Sequence, residues 1–233
     1  MNGVAFRAVC AVCLISPGLV SPACRAADIQ KVEIGVERKA GARVERMDPN
    51  HVFEQGDLVR FRFKPSFAGY LYVMDHSTSG KYLLLFPKEE TGLDNRIVAD
   101  RSYLLPMTES GWFRVEGPAG HEVLYWFVSP ARLNEPGAGT FPIPKLPAEA
   151  PPLDPAITPR CDDAIFRARG ECLDVTAGAK PIRDQDEVPA NLSGLPGAGA
   201  RELTVTKSDK QTSVVLPPGE NEPFLYTFRL AHR

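Results

Sequence analysis

In the stretch LVRFRFK, residues 58–64, apolar Val59, Phe61 and Phe63 alternate strictly with Arg60, Arg62 and Lys64. A period of two separates these sets onto opposite faces of an extended chain, whereas a helix would scatter both around its axis. The run therefore predicts a strand with one buried and one wet face. The three bases on the wet face are read as a solvated or cross-strand-paired surface, not a nucleic-acid stripe. The same period marks IQKVEIGVER (29–38), where Val32, Ile34 and Val36 oppose Lys31, Glu33 and Glu37. It returns near the C-terminus in RELTVTK, TSVVLP and PFLYTFRLAHR.

Turn formers punctuate these runs: 22 prolines and 19 glycines leave little room for long helices. Residues 41–57 read as a polar connection ending in a turn at Gln55-Gly56-Asp57. GYLYVMD (69–75) and KYLLLFP (81–87) are apolar on both faces, so both are expected as central strands covered on each side. The polar DHSTSG joins them as a hairpin loop, with Gly80 free to take a positive φ. RSYLLP, WFRVEG and GHEVLYWFVSP supply further strands at the spacing of a two-sheet architecture. The expected fold class is all-β: a β-sandwich-like, Ig-like pair of antiparallel sheets. Residues 27–133 form its first part and 201–233 its completing strands. Between them, 134–200 reads as a long irregular insertion, proline-rich at first, with a short helix in CDDAIFRARGEC.

The N-terminus bears on location. Arg7 precedes a short apolar stretch broken by Pro17 and Pro22, and small residues crowd Ala23 to Ala27. That is the layout of a secretory signal cut after Ala26, and the stretch is too short and proline-broken for a membrane span. The expectation is a periplasmic or secreted protein with no transmembrane span after signal removal; a lipoprotein anchored through Cys24 is the minor alternative. Removing Arg7 and Arg25 leaves 25 basic against 29 acidic residues. A net charge of −4 gives no general attraction for nucleic acid. Three cysteines depart with residues 1–26, and Cys161 and Cys172 remain, most simply joined as one disulfide in an oxidising compartment.

Asp75, His76 and Ser77 stand in a row with the residue types of a hydrolase triad. Consecutive residues of extended chain splay to opposite faces, so they cannot relay a proton among themselves. No G-x-S-x-G elbow, Walker loop, G-x-G-x-x-G or H-E-x-x-H occurs. No catalytic residue, cofactor or metal is expected. Exposed aromatics are the remaining candidates for contact, and the candidate binding surface is Trp112 and Trp126 with Asp75 and His76.

Several motifs occur in order over 52–130: Gly56-Asp57 before a strand, Gly69 to Val73 as GYLYV, and Leu85 to Pro87 as LFP. Asn95 to Ala99 leading to Leu105-Pro106, and Gly117 to Glu122 as GPAGHE, complete the set. In these the chain resembles the bacterial domain of unknown function 4384. The resemblance implies an exported or envelope-associated protein, no established activity, and no catalytic residues to carry over. The preferred expectation is a non-enzymatic cell-envelope accessory or protein-binding module, its partner an envelope protein and the insertion a contact arm. A small-ligand or glycan-binding sandwich is the alternative, and a hydrolase built from His76 or His121 with distant acids the third reading.

Overall fold

The computed structural model describes residues 29–109, 111–133, 157–159, 161, 172–183, 188–190, 192–193, 202–217 and 222–233. The signal segment with Cys24, most of the proline-rich stretch and the expected helix between the cysteines lie outside the described residues.

Two antiparallel sheets carry the chain. The first is built on β1 (Lys31–Ala40) and β3 (Leu58–Pro65), which pair in register from Val32↔Pro65 to Arg38↔Val59. β12 (Gln211–Val215) and then β11 (Thr204–Ser208) extend it on one side, and β7 (Tyr103–Leu105) on the other. Two short strands, β2 (Arg43–Met47) and β8 (Phe113–Arg114), pair with the ends of β1 and β3. The second sheet runs β10 (Gly178–Pro181), β13 (Phe224–His232), β9 (Gly120–Ser129), β4 (Gly69–His76) and β5 (Tyr82–Phe86). β6 (Arg96–Ile97) also pairs with β4.

The expected all-β sandwich is therefore present, and its alternations point where the sequence says. In β3 every second residue is buried, and Val59, Phe61 and Phe63 join Val32, Ile34 and Val36 of β1 between the sheets. On the outer face Arg60 and Arg62 donate to the two carboxylate oxygens of Glu37 at 2.8 and 2.7 Å. The two arginines of the basic stripe are thus paired across the strands with one acid. Burial raises the Glu37 pKa, but the hydrogen bonds and charges of Arg62 and Arg60 outweigh it and leave the carboxyl below its usual range.

Four expectations change. Arg43–Met47 is a strand, not connection; being almost wholly exposed, it lacks the apolar alternation by which strands are recognised. Asp75 and His76 end β4 and are buried, so the loop begins only at Ser77, with Gly80 at φ 79°. β5 is an edge strand, with Leu83 46% exposed, so its run of leucines does not mark a central strand. Finally, Gly178–Pro181, expected as irregular chain, pairs with β13 as an edge strand. An edge needs ladder bonds on one side only and so tolerates a short segment with Gly and Pro.

The doubly apolar character of β4 and β9 is explained by what lies outside them. Tyr72 and Met74 of β4, and Val123, Tyr125 and Phe127 of β9, form a second core with Leu133, Ile182, Val188 and Leu192. Ile182, Val188 and Leu192, from the region expected as insertion, thus pack on the outer face of the second sheet. Cys161 and Cys172 are joined as a disulfide, with Cα atoms 5.7 Å apart. They pack with Val52, Ala177 and Ala231 in a third small cluster. No helix of the described residues is long and apolar enough to cross a membrane.

Candidate functional site: an acidic cleft at one end of the sandwich

The inward faces of three neighbouring strands can be read off their parity. In β4, Leu71 and Val73 face the inter-sheet core; in β9, Leu124, Trp126 and Val128; in β13, Phe228 and Leu230. Continuing each series to the same end of the sheet brings Asp75, Glu122 and His232 onto that inner face. The apolar core thus ends in two carboxyls and an imidazole. His232 Nε2 lies 3.1 Å from Glu122 Oε1, and the Thr78 hydroxyl donates to the same oxygen at 3.4 Å. Thr78 reaches it from the hairpin tip because residue 120 is glycine: a Cβ there would stand 2.6 Å from Thr78 Cγ2.

A cleft of about 470 Å³ opens over this floor. One wall is β5 with Leu83 and Leu85; the other is the segment from Phe113 to Gly117. Asp75, only 7% exposed, and Glu122 line it, and Asp75 Oδ1 and Glu122 Oε2 have no hydrogen-bond partner. Burial, then the charge of Glu122 and a hydrogen bond with it, hold the Asp75 carboxyl protonated well above the usual carboxylate range. The floor is therefore an acid pair in which Asp75 holds a proton, and apart from that one proton nothing among the described residues satisfies the two facing oxygens. Such a group attracts a donor, above all a cationic one.

The sequence-predicted candidates divide. Asp75 is at the site, though inside a strand and not on a loop tip. His76 turns to the opposite face and stacks on Tyr82, ring centroids 4.2 Å apart. The Ser77 hydroxyl pairs with that of Ser79 at 2.8 Å. Strand parity thus separates His76 from its two neighbours, while Ser77 lines the cleft beside Asp75. Trp126 is wholly buried among Phe61, Phe63 and Tyr226 and is no contact surface. Its even-numbered position on β9 puts it between the sheets. Trp112 is half-buried, and the Arg60 guanidinium covers one ring face 4.3 Å from the centroid.

Glu122, Thr78 and His232 escaped the sequence reading. The available signal was parity: GHEVLYWFVS puts Glu122 on the face of Trp126, and no surface role explains a carboxylate there.

A second polar cluster sits on the outer side of the same end. His121, fully buried, has Nε2 3.1 Å from Thr176 Oγ1 and 3.5 Å from Asp174 Oδ2. The Thr176 hydroxyl donates its one proton to Asp174 Oδ1 at 2.5 Å, so the imidazole must donate to Thr176 from Nε2. That polarity is wrong for activating the threonine as a nucleophile. Burial is the main cause that lowers the His121 pKa, to about 4, so the ring is neutral at physiological pH. Among the described residues, no group of three or more His, Cys, Asp or Glu could hold a metal ion.

No curated protein and no solved structure matches the chain. Residues 52–132, which hold β3 to β9 and with them Asp75, Thr78 and Glu122, match the model of a domain of unknown function, DUF4384, in line with the resemblance carried by the sequence motifs.

Proposed function

We propose that the protein is a non-enzymatic binding module exported to the bacterial cell envelope, and that the cleft over Asp75 and Glu122 is its binding site. One observation carries the reading of the site: a largely apolar-walled cleft whose floor holds buried carboxyl oxygens without partners. Such a floor is costly to leave unpaired and is satisfied by an incoming donor. Export rests on the N-terminal signal pattern, and the disulfide is in keeping with an oxidising compartment.

A hydrolase reading draws on the same carboxyl pair, because an acid held protonated beside a second carboxyl is how general acids are prepared. Glycoside hydrolysis sets the two groups about 5 Å or more apart, with the sugar between them. Here the charge of Glu122 is among the causes that raise Asp75, so the two carboxyls act on each other directly and not across a substrate. Neither hydroxyl–imidazole contact nor the Ser77–Ser79 pair prepares a nucleophile in the cleft. The arrangement favours binding. The glycan alternative is less favoured, since Trp126 is buried and Arg60 covers one ring face of Trp112.

The test is to fill the cleft. Leu83→Trp places an indole at an exposed wall position without touching the core. Wild-type and variant proteins are immobilised, exposed to envelope extract, and the retained material is identified by mass spectrometry. The wild type is expected to retain a component that the variant loses; identical retention by both would remove the cleft from the function.

A further inference from the structure

β5 is the last strand of the second sheet: β4 pairs with one edge, and among the described residues no strand pairs with the other. An unpaired edge is a template on which an extended chain can add. The Leu85 carbonyl is taken by the Thr91 hydroxyl, so the open template runs over Tyr82–Leu84. Lys81 and Pro87 flank this stretch, but on it stands Leu83, 46% exposed. The same edge forms one lip of the cleft. A strand laid along it crosses the cleft mouth with every second side chain turned inward.

The register decides which side chain the site takes. Asp75 pairs with Leu83 across β4 and β5. The residue of an added strand opposite Leu83 therefore stands two strand spacings, about 10 Å, from Asp75. Short side chains do not cross that gap. A lysine or arginine lays its apolar stem along Leu83 and brings its head to the acids. Among the described residues, His232 engages Glu122 Oε1, but the lysine and arginine at the cleft leave the floor open: Arg114 is turned to Glu116 and the Gly56 carbonyl, and Lys81 makes no ion pair with Asp75 or Glu122. We propose that the occupant is an extended peptide segment of another protein, added as a strand to the free edge of β5, with a lysine or arginine side chain bound by the Asp75–Glu122 carboxyl pair. This rests on the reading of the cleft as the binding site and names what fills it.

The experiment pans a displayed library of short random peptides on the wild-type protein and on Asp75→Asn, Glu122→Gln protein. The wild type is expected to enrich alternating sequences with Lys or Arg at one fixed position, and the variant to lose that preference. A selected peptide should shift the amide resonances of Tyr82 to Leu84. It should release protons on binding at neutral pH, because the cation displaces the proton on Asp75. Replacing its cation by norleucine should weaken it roughly tenfold, the order expected for one charge-assisted hydrogen bond. No enriched cation, or selected peptides that leave the β5 amides unmoved, overturns the inference. So does n-butylamine binding as tightly as the peptide, or a second copy of this chain pairing through the same amides; either leaves the cleft as a binding site. If Leu83→Trp changes nothing captured from extract, the reading of the cleft itself has failed instead.

Discussion

Asp75 and His121 are both buried at one end of the second sheet, on opposite faces, and their titrations act on stability with opposite sign. His121 is held neutral down to about pH 4, while in the unfolded chain it takes a proton near its ordinary value of about 6.5. The unfolded state binds more protons between those values, so stability falls as pH drops from about 6.5 to about 4, by about 3 kcal/mol in all. Asp75 does the reverse. The unfolded chain ionises it near pH 3.9, while the folded protein holds it protonated well above that range. Its contribution therefore declines as pH rises from about 4 through its own raised pKa. Urea unfolding across pH should show an acid-side loss that His121→Gln flattens. It should also show an alkaline-side loss that Asp75→Asn removes, with a gain of about 1 kcal/mol at pH 8 from an amide that costs less to bury than a carboxylate. An alkaline slope unchanged in Asp75→Asn would mean that Asp75 ionises normally. Residue identity alone announced neither group, since a pKa is set by surroundings that assemble only on folding.

At the scale of elements, legibility followed the number of covered faces. β1, β3 and β13 alternate or run apolar in the sequence and are buried accordingly in the sandwich. β2 and β10 were missed because an edge strand with little buried surface needs no apolar pattern. β5 misled in the other direction, since its leucines line a cleft and an outer cluster without making it central. β4 reads as covered on both faces and is, and β9 beside it shares the second cover, supplied by residues with no apolar pattern of their own. That cover is energetically part of the fold. Ile182, 1% exposed, packs in the outer cluster, and Ile182→Ala should cost about 2–4 kcal/mol by urea denaturation. A cost below about 0.5 kcal/mol would show that the outer cluster is not consolidated.

For the whole molecule, the disulfide fastens the region after residue 160 to the sandwich through the cluster of Val52, Ala177 and Ala231. The Cys172 carbonyl also accepts from Val52 N–H at 2.9 Å. Cys161→Ser, Cys172→Ser protein should lose about 3 kcal/mol, the chain-entropy value for so short a loop, and reductant should lower the wild-type melting temperature toward that of the variant. Equal melting with and without reductant would place the bridge outside the cooperative unit. Sequence by itself determined the fold class, the faces of the main strands and the pairing of the last two cysteines, because period two and a two-cysteine count are local facts. Only the tertiary structure decided that the inner faces of β4, β9 and β13 end together in Asp75, Glu122 and His232, and that β5 stands open beside them. Parity along one strand says which face a side chain takes. Which strands are neighbours, in what register, and which edge is left unpaired are settled by contacts between residues up to 184 positions apart, as in the pairing of Lys31 with Val215 on adjoining strands of the first sheet.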